Sequence, residues 1–278
     1  MLTLPRVKSL TLWFGTAIVV SSAISSSALS EELQLKPFTD TSMIQRSESS
    51  AMRDQYRHPN KTLSFFEIKP QLTVVEIWPG GGWYTEILAP YLKSEGLYYA
   101  AHFNSTSKIV FFQKMREKFD NTLIQSPNLY DKVITTDFEP PKHISIAPAN
   151  SADRVLTFRN VHNWMRNGSE QAAFEAFFVA LKPNGILGVV EHRAPEDFNL
   201  ERMIDTGYVT ESYVKRLAKN AGFDFIVASE VNANPLDSKN HPKGVWTLPP
   251  SLRLGDSEKQ KYLNIGESDR MTLKFRKP

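Results

Sequence analysis

The sequence predicts an α/β protein: a doubly wound, mostly parallel sheet of about seven strands with helices on both faces. Three observations carry this. Apolar, strand-like runs alternate with helical patterns from Leu72 onward. The first run ends in an acid and a glycine cluster, Val74-Val75-Glu76-Ile77-Trp78-Pro79-Gly80-Gly81-Gly82, and a helical pattern opens at Tyr84. The chain has 278 residues, 41% of them hydrophobic, which is enough for a sizeable core.

The elements follow in order. Residues 1–30 read as a signal peptide: Arg6 and Lys8, the apolar stretch Leu10–Ile24, then Ala28-Leu29-Ser30 as a small-residue cleavage site. That stretch is shorter than the roughly 20 residues a membrane span needs, so export to the periplasm or medium is expected, with no stable span after cleavage. Residues 31–70 are a linker and a helical segment, with a turn at Arg57-His58-Pro59-Asn60. Residues 71–278 form the main domain. Strands are predicted at Leu72–Trp78, Leu97–Phe103, Lys132–Thr136, Arg154–Phe158, Ile186–Glu191, Phe223–Ser229 and Arg270–Arg276. Helices are predicted at Tyr84–Lys93, Thr106–Phe119, Glu170–Leu181 and Glu211–Ala221, with Phe174, Phe177, Phe178 and Leu181 at helical spacing. Lys182-Pro183-Asn184-Gly185 reads as a helix stop. Asn232–Asp269, rich in Pro, Asn, Asp and Gly, is a long connection, and loops of that length are usually functional or disordered.

Composition excludes several classes. There is no cysteine, so thiol catalysis, disulfides and thiolate–metal sites are absent. The formal charge is +3; without Arg6 and Lys8 the 33 basic residues fall to 31, against 30 acidic ones. No basic run suggests nucleic acid. G-x-G-x-x-G is absent, because Trp78 and Trp83 stand where small residues are needed, and G-x-x-x-x-G-K-[ST] is absent too. What remains at Gly80–Gly82 is general: glycines let the backbone turn tightly and approach a ligand at a helix N-terminus. In an open α/β sheet such a turn lies at the carboxyl edge, where ligands bind.

These residues resemble the class I S-adenosylmethionine-dependent methyltransferases. More specifically, VVEIWPGGGWYTEILAPYL, LTFRNVHNW, LKPNGILGVVEHRA and GESDRMTLKF are similar to segments of a group of exported, predicted methyltransferases. The resemblance covers residues 43–278. It implies a Rossmann-like methyltransferase fold with the last strand antiparallel, and S-adenosylmethionine as cofactor. Glu76 matches the acid of the first motif, and Gly80 and Gly82 match its second and third glycines, with Gly81 between them. Trp78 replaces the first glycine. At the second strand's end, where the family carries a ribose-binding acid, stand His102 and Asn104. Asp137 matches the acid that contacts adenine, and Phe138 is placed to pack on the ring.

The fourth strand ends Arg159-Asn160-Val161-His162-Asn163-Trp164, where this fold sets substrate beside cofactor; Arg159 and Asn160 count as cofactor candidates. His162 is suited to remove a proton from a substrate, and Trp164 to stack on it. The fifth strand ends Glu191-His192-Arg193. There His192 is a second candidate base, Glu191 its orienter, and Arg193 an anchor for an anionic substrate or the partner of Glu191. A metal held by His162, His192 and a carboxylate has no recognised ligand spacing, and none is expected. The expected function is methyl transfer to a small molecule, with His162 as base. The alternatives are an exported binding protein on a degenerate form of the fold, and a hydrolase or lyase using the two histidines. The segments Tyr56–Pro59 and Asn232–Pro242 are candidate covers of the site.

Overall fold

The computed structural model describes residues 1–2 and 46–278. The chain divides into units 1–36 and 37–278, and the sheet and its helices lie in the second. The predicted signal peptide, from residue 3, and the linker up to residue 45 lie outside the described residues. Among the described residues no helix is long and apolar enough to cross a membrane.

Seven strands form one sheet: β1 (Thr73–Ile77), β2 (Leu97–His102), β3 (Val133–Asp137), β4 (Ala152–Phe158), β5 (Leu181–His192), β6 (Asp224–Ser229) and β8 (Arg270–Arg276). The short β7 (Pro242–Val245) lies in the long connection, outside that sheet. The order is β3-β2-β1-β4-β5-β8-β6, with β1 to β5 parallel. The last strand, β8, enters between β5 and β6, antiparallel to both. The order in which strands are added reverses between β1 and β4, so a crevice opens there at the carboxyl edge.

Side-chain alternation builds a core on each face. Val75, Val155, Leu187 and Val189 pack to one side with Phe174, Phe177 and Trp164. Their neighbours Val74, Leu156 and Val190 pack to the other, with Leu88, Leu92 and Phe66. Helices Thr85–Leu92, Val110–Gln125, Glu170–Ala180 and Glu211–Asn220 cover the sheet.

The helix after β2 runs on to Gln125 rather than Phe119, β5 begins at Leu181 rather than Ile186, and two further boundaries differ for reasons the side chains show. The helix after β2 begins at Val110 rather than Thr106. Asn104 accepts from the Thr106 amide (3.0 Å) and Ser107 from that of Ile109 (3.1 Å), so side-chain turns capture the amides that would begin a helix. The helix before β5 ends at Ala180, because Leu181 is fully buried and already pairs with Ala152. Lys182–Gly185 is therefore an irregular start to β5, with Asn184 at φ 64°. Near the N-terminus the predicted turn is present. His58 is left-handed at φ 41°, and Pro59 starts helix Pro59–Phe65, where its missing N–H costs nothing.

Candidate functional site

The glycine turn leaves β1 in an unusual backbone state. Trp78, Gly80 and Gly82 have φ of 45°, 60° and 85°. Positive φ is routine for glycine and uncommon for tryptophan, which persists there only when its surroundings hold it. A Cβ at Gly80 or Gly81 would meet nothing within 4 Å, so this stretch of backbone is open to a ligand. Glu76 does not reach that space. It is buried and accepts from the Tyr98 hydroxyl and from Thr85 (3.3 Å), tying β1 to β2 and to the following helix.

Burial pushes the Glu76 carboxyl up to about 7, against hydrogen bonds that favour its charge. The unfolded group ionises near its ordinary value of 4.5, so folding takes up a proton between those limits. Stability then falls as pH rises from 4.5 to 7, by roughly 3 kcal/mol in all. Glu76→Gln removes that loss. Urea melts are expected to show the variant more stable than the parent at pH 8 and close to it at pH 4.5; equal stability at both values would refute the neutral, buried carboxyl.

Trp78 points its indole along the ends of β2, β3 and β4. Its Nε1 donates to the Phe138 carbonyl at 2.8 Å. Its ring lies 4.7 Å from that of Phe103, 5.3 Å from Trp164, 5.5 Å from Phe112 and 6.1 Å from Phe138. Around it the predicted cofactor residues are already engaged. His102 is fully buried, accepts from the Phe103 amide (2.7 Å) and faces the Gly80 carbonyl at 3.0 Å. Burial holds its imidazole down at about 4, so it is neutral. Asp137 pairs with Arg116 and accepts from the Ser105 amide. Asn160 donates to the Ile77 carbonyl at 2.9 Å, stitching β4 to the turn.

The open space lies one step further along the sheet edge. A cavity of about 240 Å³ is lined by Arg53, Arg57, Arg159, His162, His192 and Trp246, among others. His162 lies in the short helix Val161–Met165 that follows β4, and His192 ends the neighbouring β5, with ring centroids 5.1 Å apart. Glu191, fully buried, stands 3.0 Å from His162 Nδ1 and also accepts from the His192 amide (2.8 Å). With Glu191 engaging Nδ1, Nε2 is the nitrogen left for a ligand. His192 Nδ1 is taken by Ser268. Burial first, then the charge of His162 and of Arg159, Arg270 and Arg57, hold His192 well below its ordinary range. It is a neutral hydrogen-bonding group, whereas His162 is the histidine whose ring nitrogen faces a buried carboxylate.

The cleft carries more positive charge than it neutralises. Glu267 alone pairs with Arg53 (2.7 Å), Arg57 (3.1 Å) and Arg270 (3.2 Å). Burial raises its carboxyl, and the charges of Arg57, Arg270, Arg159 and Arg53 overcome this and hold it at about 2. Burial, then Arg159, holds Arg57 well below the usual arginine range. Arg159 follows β4 at φ 63° and joins no ion pair among the described residues. This excess also decides what His162, Glu191 and His192 do. Their ligand atoms lie within 4.8 Å of one another, close enough to suggest a metal site. A divalent cation there would stand among the arginine charges that already depress His192, so the arrangement suits proton transfer and an anionic ligand better.

Three expectations are corrected. Trp164 has no exposed surface and stacks inside the core, so it offers no face to a substrate. Arg193 is committed to Asp269 (2.9 Å), Glu230 (2.8 Å) and Glu211 (3.5 Å), not to an anion or to Glu191. Asn232–Pro242 is no cover: buried Asp237 bonds Tyr208, His241 and the amides of Lys239 and Asp269. The cover is the next stretch, Val245–Ser251, whose Trp246 lies 5.9 Å from the His162 ring between Arg166 and Arg253. No signal in the sequence marks Arg53 and Glu267, which line the cleft from distant parts of the chain, or Arg270, which pairs with Glu267.

Solved structures of the same architecture are known. A SAM-dependent methyltransferase from Aquifex aeolicus superposes with a TM-score of 0.55 at 17% identity, covering 86% of this chain and 99% of its own. The fold is that of the class I methyltransferases. A candidate sarcosine dimethylglycine methyltransferase from Galdieria sulphuraria matches at 0.52 and 12% identity, over 84% of this chain and 90% of its own. The [4+2]-cyclase SpnF matches at 0.54 and 15% identity, over 84% of both chains. No family model and no curated protein matches the sequence. S-adenosylmethionine is the cofactor this fold implies, and the residues present do not fit it as they stand. The glycine turn is open, but an indole fills the aromatic slot beside it, and the end of β2 offers a tethered, neutral histidine instead of a carboxylate.

Proposed function

We propose that the chain is an enzyme for a small anionic molecule, built on the methyltransferase fold and working in the cleft of His162, Glu191 and the arginines. The observation that carries this is the arrangement of groups there. A buried carboxylate orients His162 at 3.0 Å, beside guanidiniums that share one carboxylate. Base and anion-holding groups then meet in one cavity, with the orienter buried against the base. Carboxylate or phosphate groups match the donors of Arg57 and Arg159. Fold alone does not choose the reaction, as the cyclase among the similar structures illustrates.

Methyl transfer from S-adenosylmethionine to a small molecule is the second reading. Glu76, Gly80 and Gly82 at their motif positions, and the methyltransferases of like fold, favour it. Export to the periplasm or medium through residues 1–30 belongs to the proposal, and fractionation of a tagged chain checks it.

A thermal-shift panel of small carboxylates and phosphates, followed by calorimetry, tests the first reading. At least one anion is expected to bind at millimolar concentration or better, with Arg159→Ala weakening it tenfold or more. A panel with no binder at 10 mM, or a binder indifferent to Arg159, would sink it.

A further inference from the structure

We infer that Trp78 is a built-in occupant of the nucleoside slot of this fold, and that this one side chain keeps purine nucleosides out. The inference deepens the proposed function, since it explains why the cleft and not the glycine turn takes the ligand.

The slot is defined by its walls. Phe103 follows β2, Phe138 follows β3 and Trp164 follows β4, and Phe112 closes the outer side. The first three lie past the carboxyl ends of parallel strands, beside a glycine turn and at the reversal of strand order, which is where open α/β sheets bind nucleotides. The walls are aromatic, and the rim offers a carbonyl oxygen, that of Phe138. Such a slot selects a flat heteroaromatic ring carrying an N–H at its edge. A purine with an exocyclic amino group has that chemistry, and so does indole.

The occupant arrives on the backbone itself. Trp78 is two residues before Gly80, and its φ of 45° turns the side chain off the strand and into the slot. A tethered group is always present at high effective concentration, so a free nucleoside must displace it as well as bind. The neighbouring contact repeats the pattern: His102, at the end of β2, already faces the Gly80 carbonyl at 3.0 Å, where a sugar would lie.

The test uses Trp78→Gly and Trp78→Phe, with S-adenosylhomocysteine and adenosine as probes. Glycine suits the observed φ and empties the slot, while phenylalanine keeps it filled. Calorimetry is expected to show Trp78→Gly binding S-adenosylhomocysteine at least tenfold more tightly than the parent, with Trp78→Phe unchanged. A folded Trp78→Gly that binds no better than the parent overturns the inference. If that variant does not fold, the parent decides: its Trp78 indole N–H resonance must stay protected and unmoved by millimolar S-adenosylhomocysteine. A shift on titration overturns the inference. The same samples titrated with the anion from the panel separate the two readings, because anion binding reports the cleft and nucleoside binding reports the slot.

Discussion

Trp164→Ala is expected to cost roughly 3–5 kcal/mol of stability, the range for removing a large buried aromatic side chain. Domains of this kind hold only about 5–15 kcal/mol in total, so the variant should melt far below the parent or fail to fold. The reason is position. Trp164 is fully buried and its ring meets those of Trp78 (5.3 Å), Phe138 (6.0 Å) and Phe177 (5.7 Å), joining the slot to the core beneath β4. Its Nε1 has no hydrogen-bond partner among the described residues, so Trp164→Phe loses bulk but no bond and should be much milder. Denaturant melts of both variants check this. A stable Trp164→Ala protein with altered ligand binding would instead restore Trp164 as a substrate platform.

His162→Gln is expected to lower turnover of the anionic substrate by about 10²–10⁴, the usual worth of a positioned general base. Affinity should change little, because the arginines hold the ligand. Glu191→Gln should also lower turnover, since an amide cannot stabilise the imidazolium that forms when His162 takes a proton. Both effects should appear in kcat, whereas Arg159→Ala should appear in KM. Equal losses in kcat and affinity for His162→Gln would mean that it binds rather than reacts. Steady-state kinetics with the anion from the panel provide the comparison.

The sheet was legible because its signals are local. Strand and helix periodicities need only a window of residues, and six of the seven sheet strands lie within two residues of expectation, while β5 begins five residues early at Leu181. The histidine pair was legible for a related reason: parallel neighbours β4 and β5 end together, so residues just past their carboxyl ends must meet. The rest depended on contacts that no window contains. Arg53 and Arg57 reach Glu267 across 214 and 210 residues, so the positive cleft has no local signature. Trp78 was visible as a departure from the motif, but its direction was not. That is set by a φ of 45° and by rings from three strand ends. Trp164 and Arg193 looked functional because they stand at strand ends. Their roles were decided by burial and by acids from Glu211, Glu230 and Asp269.

A crystal structure grown with S-adenosylhomocysteine and malonate together tests the central claim most directly, because both candidate sites are offered a ligand at once. The account expects malonate against Arg57 and Arg159, with the Trp78 indole still between Phe103 and Trp164. S-adenosylhomocysteine in that slot, with Trp78 swung out, would contradict it.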